Sequence, residues 1–318
     1  MKDKTICNTF LSKEVCDLME SLGLKGHEIQ EIRMNIGQPL MLRAKGKEMI
    51  LHKHGGVAEN YQDVFWVTEE MLRQTFSFIC KHSVYAYEEE IRQGFITIEG
   101  GHRIGLIGQA VMEGDKVKNI KYVSGLNIRL ARENIGCGEK VIHMIADKHN
   151  IFNTLIVAPP CAGKTTLLRD CIRLLSNGTK GIEGVRVGVA DERGELGACY
   201  HGIPQNDLGI RTDVLDRVSK PEGILMLIRS MAPRVIAVDE VGSKEDVEAL
   251  KNACLSGCSI LATIHGTSPY EIYEKNVFEH LKAGNIFQRY VVLERGEIGK
   301  IKAVYNENME QIREYINC

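Results

Sequence analysis

Apolar residues recur at helical spacing over Val15–Leu24, so the chain begins its ordered pattern with an amphipathic helix. Extended patterning follows. Glu31–Arg33, the turn Asn35–Pro39 and Leu40–Arg43 predict strand, turn and strand, and Gly46-Lys47 turns the chain again before Met49–Leu51. Thr68 followed by Glu69 and Glu70 predicts an N-capped helix to about His82, and Glu88–Arg92 a short one. Gly94–Glu99 and Arg103–Gln109 alternate on either side of Gly100-Gly101, which predicts a hairpin. Tyr122–Arg132 reads as a further strand carrying Arg129 and Arg132, and residues 131–140 (ARENIGCGEK) read as a linker.

Beyond the linker the texture changes. Val141–His149, Lys164–Leu175, Pro221–Met231, Lys244–Cys254 and Pro269–Leu281 read as helices. They alternate with the strand-like runs Thr154–Ala158, Val185–Ala190, Val235–Val238 and Ser259–Thr263. Such alternation predicts βαβ units in a mostly parallel sheet, with ligands bound at the carboxyl ends of its strands. Phe287–Leu293 and Ile298–Tyr305 predict a closing hairpin. The expected architecture is α/β in two domains: a smaller mixed domain over 1–138 and a larger one over 139–318.

The 318 residues are 44% hydrophobic and 26% charged, ordinary for a globular chain. Lys and Arg number 40 against 42 Asp and Glu, a net charge of -2, which argues against the basic footprint of a duplex-binding protein. No run approaches the ~18 apolar residues of a membrane-spanning helix, and the first residues lack a signal-peptide core, so a cytoplasmic protein without membrane insertion is expected. The 10 cysteines include no C-x-x-C pair and are read as reduced thiols. Cys254 and Cys258 lie one helical turn apart, but no second ligand pair accompanies them, which argues against a metal centre.

Candidate chemistry concentrates at three strand ends. After the apolar Leu155–Val157 come Ala158, Pro159, Pro160, Cys161, Ala162, Gly163, Lys164, Thr165 and Thr166, and then a helix. A phosphate-binding loop reads G-x-x-x-x-G-K-[ST] in this strand-to-helix context, and only Ala158 departs from it, by one methyl group. Amides at the helix start cradle phosphate oxygens, Lys164 reaches the β- and γ-phosphates, and the Thr165 hydroxyl is placed for Mg²⁺. The apolar Val235–Val238 ends in Asp239, which suits water-mediated Mg²⁺ binding, and Glu240, which suits orienting the attacking water. Val185–Ala190 ends in Asp191-Glu192-Arg193. Glu192 is a second candidate for positioning water, and Arg193 is balanced between a phosphate contact and a local ion pair. Ser259–Thr263 leads to His265, placed to sense a γ-phosphate.

The order of these motifs resembles the stage III sporulation AA family, a sporulation relative of the type II/IV secretion ATPases. In the first domain EIRMNIGQPL (31–40), GGHRIGLIG (100–108) and SGLNIRLARE (124–133) carry the resemblance. In the second, APPCAGKTT (158–166), VADERGEL (189–196), GIPQNDLGIRTDVLD (202–216), LIRSMAPRVIAVDEVGS (227–243) and LATIHGTSPYE (261–271) carry it. The resemblance implies a RecA-like P-loop ATPase domain using ATP and Mg²⁺. It implies a homo-oligomeric ring, a hexamer by analogy, that energises the channel complex between mother cell and developing spore. The protein would then be peripheral to the membrane on the mother-cell side through the membrane proteins of that complex. Arg103, Arg129 and Arg132 are the candidates for basic residues brought from the first domain onto the phosphates, and Arg229 for a phosphate or intersubunit contact. Where secretion ATPases read Gly-Glu and then Ile-Arg-Asp, this chain has Asp239-Glu240-Val241-Gly242-Ser243, so no role of that arginine carries over. Two other classes stay open on sequence: a nucleic-acid-dependent RecA-like ATPase, and a nucleotide-gated scaffold with little turnover.

Overall fold

The computed structural model describes residues 10–24, 26–274, 286–296 and 298–312. The chain divides into two compact units, Met1–Arg132 and Glu133–Cys318.

The first unit is built from α1 (Lys13–Ser21), β1 (Ile29–Asn35), β2 (Met41–Ala44), β3 (Lys47–Ile50), α2 (Glu69–Ile79), α3 (Glu88–Arg92), β4 (Phe95–Ile98), β5 (His102–Glu113) and β6 (Lys116–Arg129). Its six strands lie in the order β3-β2-β1-β6-β5-β4, every neighbouring pair antiparallel. One sheet face presents Ile32, Met34, Leu42, Ile96, Ile104 and Ile128 to the helices, which answer with Val15, Met19, Leu72 and Ile79. Each such side chain contributes roughly 1.5–3 kcal/mol on burial. Thr68 caps α2, its hydroxyl accepting from the Met71 amide at 3.2 Å. That helix stops at Ile79 rather than His82, because Lys81 and His82 adopt left-handed φ of 46° and 62°. The β5–β6 hairpin extends well past the Gln109 and Tyr122 limits expected from alternation. The added residues turn about Gly114 and are exposed or half-buried on both faces, so they leave no period-two signal.

The second unit comprises α4 (Glu139–Ile145), β7 (Thr154–Ala158), α5 (Lys164–Asn177), β8 (Val187–Asp191), β9 (Thr212–Asp216), α6 (Lys220–Met231), β10 (Val235–Val238), α7 (Lys244–Leu255), β11 (Ser259–His265), α8 (Pro269–Glu274), β12 (Arg289–Leu293) and β13 (Ile301–Asn306). The strand order is β13-β12-β7-β11-β10-β8-β9, and only the β12–β13 pairing is antiparallel. β7, β8 and β10 are buried on both faces, which explains their unbroken apolar runs. Val141, Leu167 and Cys171 pack on one face, and Ile224, Leu227, Val247 and Leu250 on the other, so helices sandwich the sheet. The half-buried strand β9 is not among the sequence-read elements. The rest of the helix expected over Pro269–Leu281 lies outside the described residues.

Candidate functional site

The parallel register sets three strand ends side by side. His265 of β11 pairs with Ala158 of β7, Ala262 with Val238 of β10, and Val238 with Ala190 of β8. The residues that follow therefore emerge together at the carboxyl edge of the sheet.

Ala158 still belongs to β7. It is buried, its carbonyl accepts from the Gly266 amide at 3.1 Å, and it does not take positive φ. An alanine methyl is compatible with this position, which explains the departure from the usual glycine. The left-handed residues of the loop are instead Cys161 (φ 63°) and Gly163 (φ 88°). Pro159 is half-buried, Pro160 and Cys161 are exposed, and Ala162 is buried. The first-turn amides of α5, at Lys164, Thr165 and Thr166, have no intrahelical acceptor, which is what an anion needs there.

The turn of the β12–β13 hairpin leans on this loop, the Gly299 amide donating to the Ala162 carbonyl at 2.9 Å. A Cβ on Gly163 would stand 2.6 Å from Ile298 Cγ2 and 2.7 Å from the Gly299 nitrogen. Gly163→Ala should therefore be costly twice, through left-handed backbone at about 1–2 kcal/mol and through that clash. The expected result is a lowered melting temperature together with weakened Mg-ATP binding. Wild-type behaviour in both would contradict this packing.

Around the loop lie the acidic groups. Thr165 Oγ1 donates to Asp239 Oδ2 at 2.7 Å, and Lys164 Nζ lies 3.9 Å from Asp239 Oδ1 and 3.4 Å from Glu240 Oε2. Buried Thr263, inside β11, donates its hydroxyl to Asp239 Oδ1 and accepts the Glu240 amide at 2.8 Å. It thereby fixes a turn in which Glu240 takes a left-handed φ of 55°. The far side of that turn is held by Asp246 of α7, whose carboxylate accepts the Gly242 and Ser243 amides at 3.0 and 3.1 Å. His265 Nε2 is 3.7 Å from Glu240 Oε1. Arg193 Nη1 donates to Glu240 Oε2 at 2.5 Å. Burial pushes the Glu240 carboxyl up, but the nearby charges of Lys164, Arg193 and His265 outweigh it and hold the group below its ordinary value.

The structure thus brings Lys164, Thr165, Asp239, Glu240 and His265 into one cluster, pairs the candidate Arg193 with Glu240 rather than with a sequence neighbour, and adds Thr263. Glu192 is directed elsewhere. Its carboxylate pairs with Lys220 at the start of α6, and Lys220 also lies 3.7 Å from Asp246. Arg229 is exposed in the last turn of α6, which runs back from the Glu192 end of β8 toward the start of β10. That places it toward the opposite edge of the sheet from its own phosphate loop, roughly 13 Å along the helix from Lys220 at 1.5 Å per residue.

Asp191 is organising rather than free to act. Nearly fully buried, it accepts the amides of Glu195, Leu196 and Gly197 at 3.0, 3.0 and 2.7 Å. Burial raises its carboxyl to about 6 despite those bonds.

Arg103, Arg129 and Arg132 belong to the first unit. Arg103 and Arg129 face each other across β5 and β6, and the Arg103 guanidinium stacks 3.6 Å from the Phe95 ring centroid. Arg129 and Arg132 are exposed.

The donor set suits the expected ligands. A hydroxyl beside a carboxylate offers the hard oxygens that Mg²⁺ prefers, and the left-handed loop with its ammonium suits a polyphosphate.

A family model described as sporulation stage III, protein AA matches residues 1–312. The stage III sporulation protein AA of Bacillus subtilis is 38% identical over 282 residues, covering 88% of each chain. An uncharacterised protein, ycf45, of Cyanidium caldarium is 26% identical over 153 residues, 47% of this chain and 43% of that one. Among solved structures, the pilus retraction motor PilT with bound ADP superposes with a TM-score of 0.57 at 15% identity, covering 87% of this chain and 76% of that one. The Legionella pneumophila ATPase DotB gives 0.53 at 14%, covering 94% and 78%. At these identities the two structures show a shared fold. Among the described residues no helix is long and apolar enough to cross a membrane.

Proposed function

The chain belongs to the sporulation stage III protein AA family, and from that footing we propose that it is a Mg²⁺-dependent ATPase whose turnover energises the channel complex between mother cell and developing spore. The observation that carries the reading is the Lys164–Thr165–Asp239–Glu240 cluster at the mouth of a phosphate-type loop.

In this reading the α5 amides and Lys164 bind the β- and γ-phosphates. Thr165, and Asp239 through water, would hold Mg²⁺, which when bound neutralises charge on the phosphate oxygens. Glu240, kept ionised by its cationic neighbours, orients a water in line with the γ-phosphorus. The water oxygen forms the new bond, the bond to the β–γ bridging oxygen breaks, and the water's proton passes toward Glu240, leaving ADP and phosphate. Such chemistry depends on positioning and electrostatics. An isolated subunit, which lacks the cations a ring neighbour would bring from Arg103, Arg129 or Arg132, should therefore turn over slowly, and assembly would speed it.

A second reading draws on the clasp that Arg193 holds on Glu240: a scaffold that binds ATP and assembles but barely hydrolyses it. Phosphate release measured across protein concentrations separates the two. The ATPase reading expects a per-subunit rate that climbs as the protein assembles, a change followed in parallel by mass in solution. ATP binding with no phosphate released at any concentration would overturn it.

A further inference from the structure

We propose that Arg193 is a catalytic residue that leaves Glu240 for the γ-phosphate when a nucleoside triphosphate binds in the same subunit. This rests on the ATPase reading and adds to it a cation from the chain's own second unit.

The argument begins with how Arg193 is held. Asp191 closes a turn by accepting three successive amides, those of residues 195 to 197, and its own carbonyl accepts the Arg217 amide at 2.8 Å. The backbone on which Arg193 is mounted is thereby fixed at the carboxyl edge of β8. Glu192 is drawn aside onto Lys220, so the two neighbouring side chains diverge and only Arg193 turns toward the loop. Its side chain is 59% exposed, so the guanidinium is not locked into the fold as the Asp191 carboxylate is.

Its present partner is the second point. Arg193 and Lys164 address the same oxygen, Glu240 Oε2, so the two cations are neighbours across a single atom. Any phosphate within reach of Lys164 is therefore close to Arg193. A triphosphate brings negative charge to the spot where Glu240 already stands. Like charges repel, and the planar, permanently charged guanidinium matches phosphate oxygens in a bidentate fork. The arriving γ-phosphate thus competes for Arg193. The exchange frees Glu240 to address water and sets an arginine against the charge that builds on the γ-phosphoryl group. ADP, lacking that phosphate, has no such hold, so the clasp re-forms after hydrolysis. No bond is made or broken by Arg193 itself; an ion pair is traded for another.

The test compares Mg-ADP with the Mg complex of the β,γ-imido analogue of ATP on wild type, Arg193→Ala and Arg193→Lys, with saturating kcat measured on ATP. Arg193→Ala should lose about tenfold in affinity for the triphosphate analogue with ADP affinity unchanged, and about 10²-fold or more in kcat. Arg193→Lys should recover part of both. An unchanged ratio of the two affinities, or tighter triphosphate binding in Arg193→Ala, would overturn the proposal and leave Arg193 as a partner of Glu240 alone. A wild type that binds neither nucleotide would instead sink the ATPase reading beneath it. Thermal denaturation of each variant shows that the exposed side chain was replaced without unfolding.

Discussion

Replacing Lys164 with Ala should weaken Mg-ATP binding by at least about a hundredfold while the fold survives. Its side chain is only 11% exposed and its ammonium lies between the Asp239 and Glu240 carboxylates. Hydrogen bonds to charged groups contribute about 1.5–3 kcal/mol each, and the upper end of that range is about a hundredfold in affinity. The substitution does more than delete an attraction. It leaves two carboxylates facing the phosphates with one cation fewer between them, so repulsion adds to the loss. The Glu240 carboxyl, held low in part by Lys164, would also move up. The scaffold should persist because Thr263 still ties Asp239 to the Glu240 amide and Asp246 still holds the turn behind them. Calorimetric titration beside thermal denaturation checks both halves. Affinity retained within a few-fold would contradict this placement of the phosphates.

Glu240→Gln should separate binding from turnover. The amide has nearly the shape of the carboxylate and leaves the Glu240 backbone amide on Thr263 undisturbed. What it lacks is a charge to receive the water's proton. General-base contributions of about 10²–10⁴-fold are usual, so kcat should fall by about 10²-fold or more. Removing a negative charge beside the γ-phosphate should at the same time leave ATP affinity equal or higher. Single-turnover phosphate release on the two proteins, matched for bound nucleotide, reads this directly. Equal rates would remove Glu240 from the reaction.

The parts of the site that the sequence displayed are those written as short local patterns on buried parallel strands. Leu155–Val157 and Val235–Val238 are unbroken apolar runs, so the loop and the Asp239-Glu240 pair that follow them stand out against the core. The mismatch at Ala158 was legible as a departure but not as harmless. Only the strand geometry shows that the first loop position keeps ordinary φ and that the left-handed turns fall at Cys161 and Gly163. Thr263 and Arg193 were harder. The value of each depends on which strands lie side by side: β11 next to β10 makes Thr263 the partner of Asp239, and β8 next to β10 makes Arg193 the partner of Glu240. Glu192 illustrates the converse, since a carboxylate at a strand end looks catalytic until Lys220, 28 positions on, is seen to hold it. β9 leaves little trace in the sequence because Thr212–Asp216 is half-buried throughout, with aspartates at two of its five positions, and so carries neither an apolar run nor a clean alternation.

The proposition beneath all of this is that the loop from Ala158 to Thr166 wraps a nucleoside triphosphate. The direct measurement is a calorimetric titration of the purified wild-type chain with ATP in the presence of Mg²⁺. Saturable heat with one nucleotide per chain, lost in Lys164→Ala, is the predicted result. No heat from ATP or any other purine triphosphate would contradict the account.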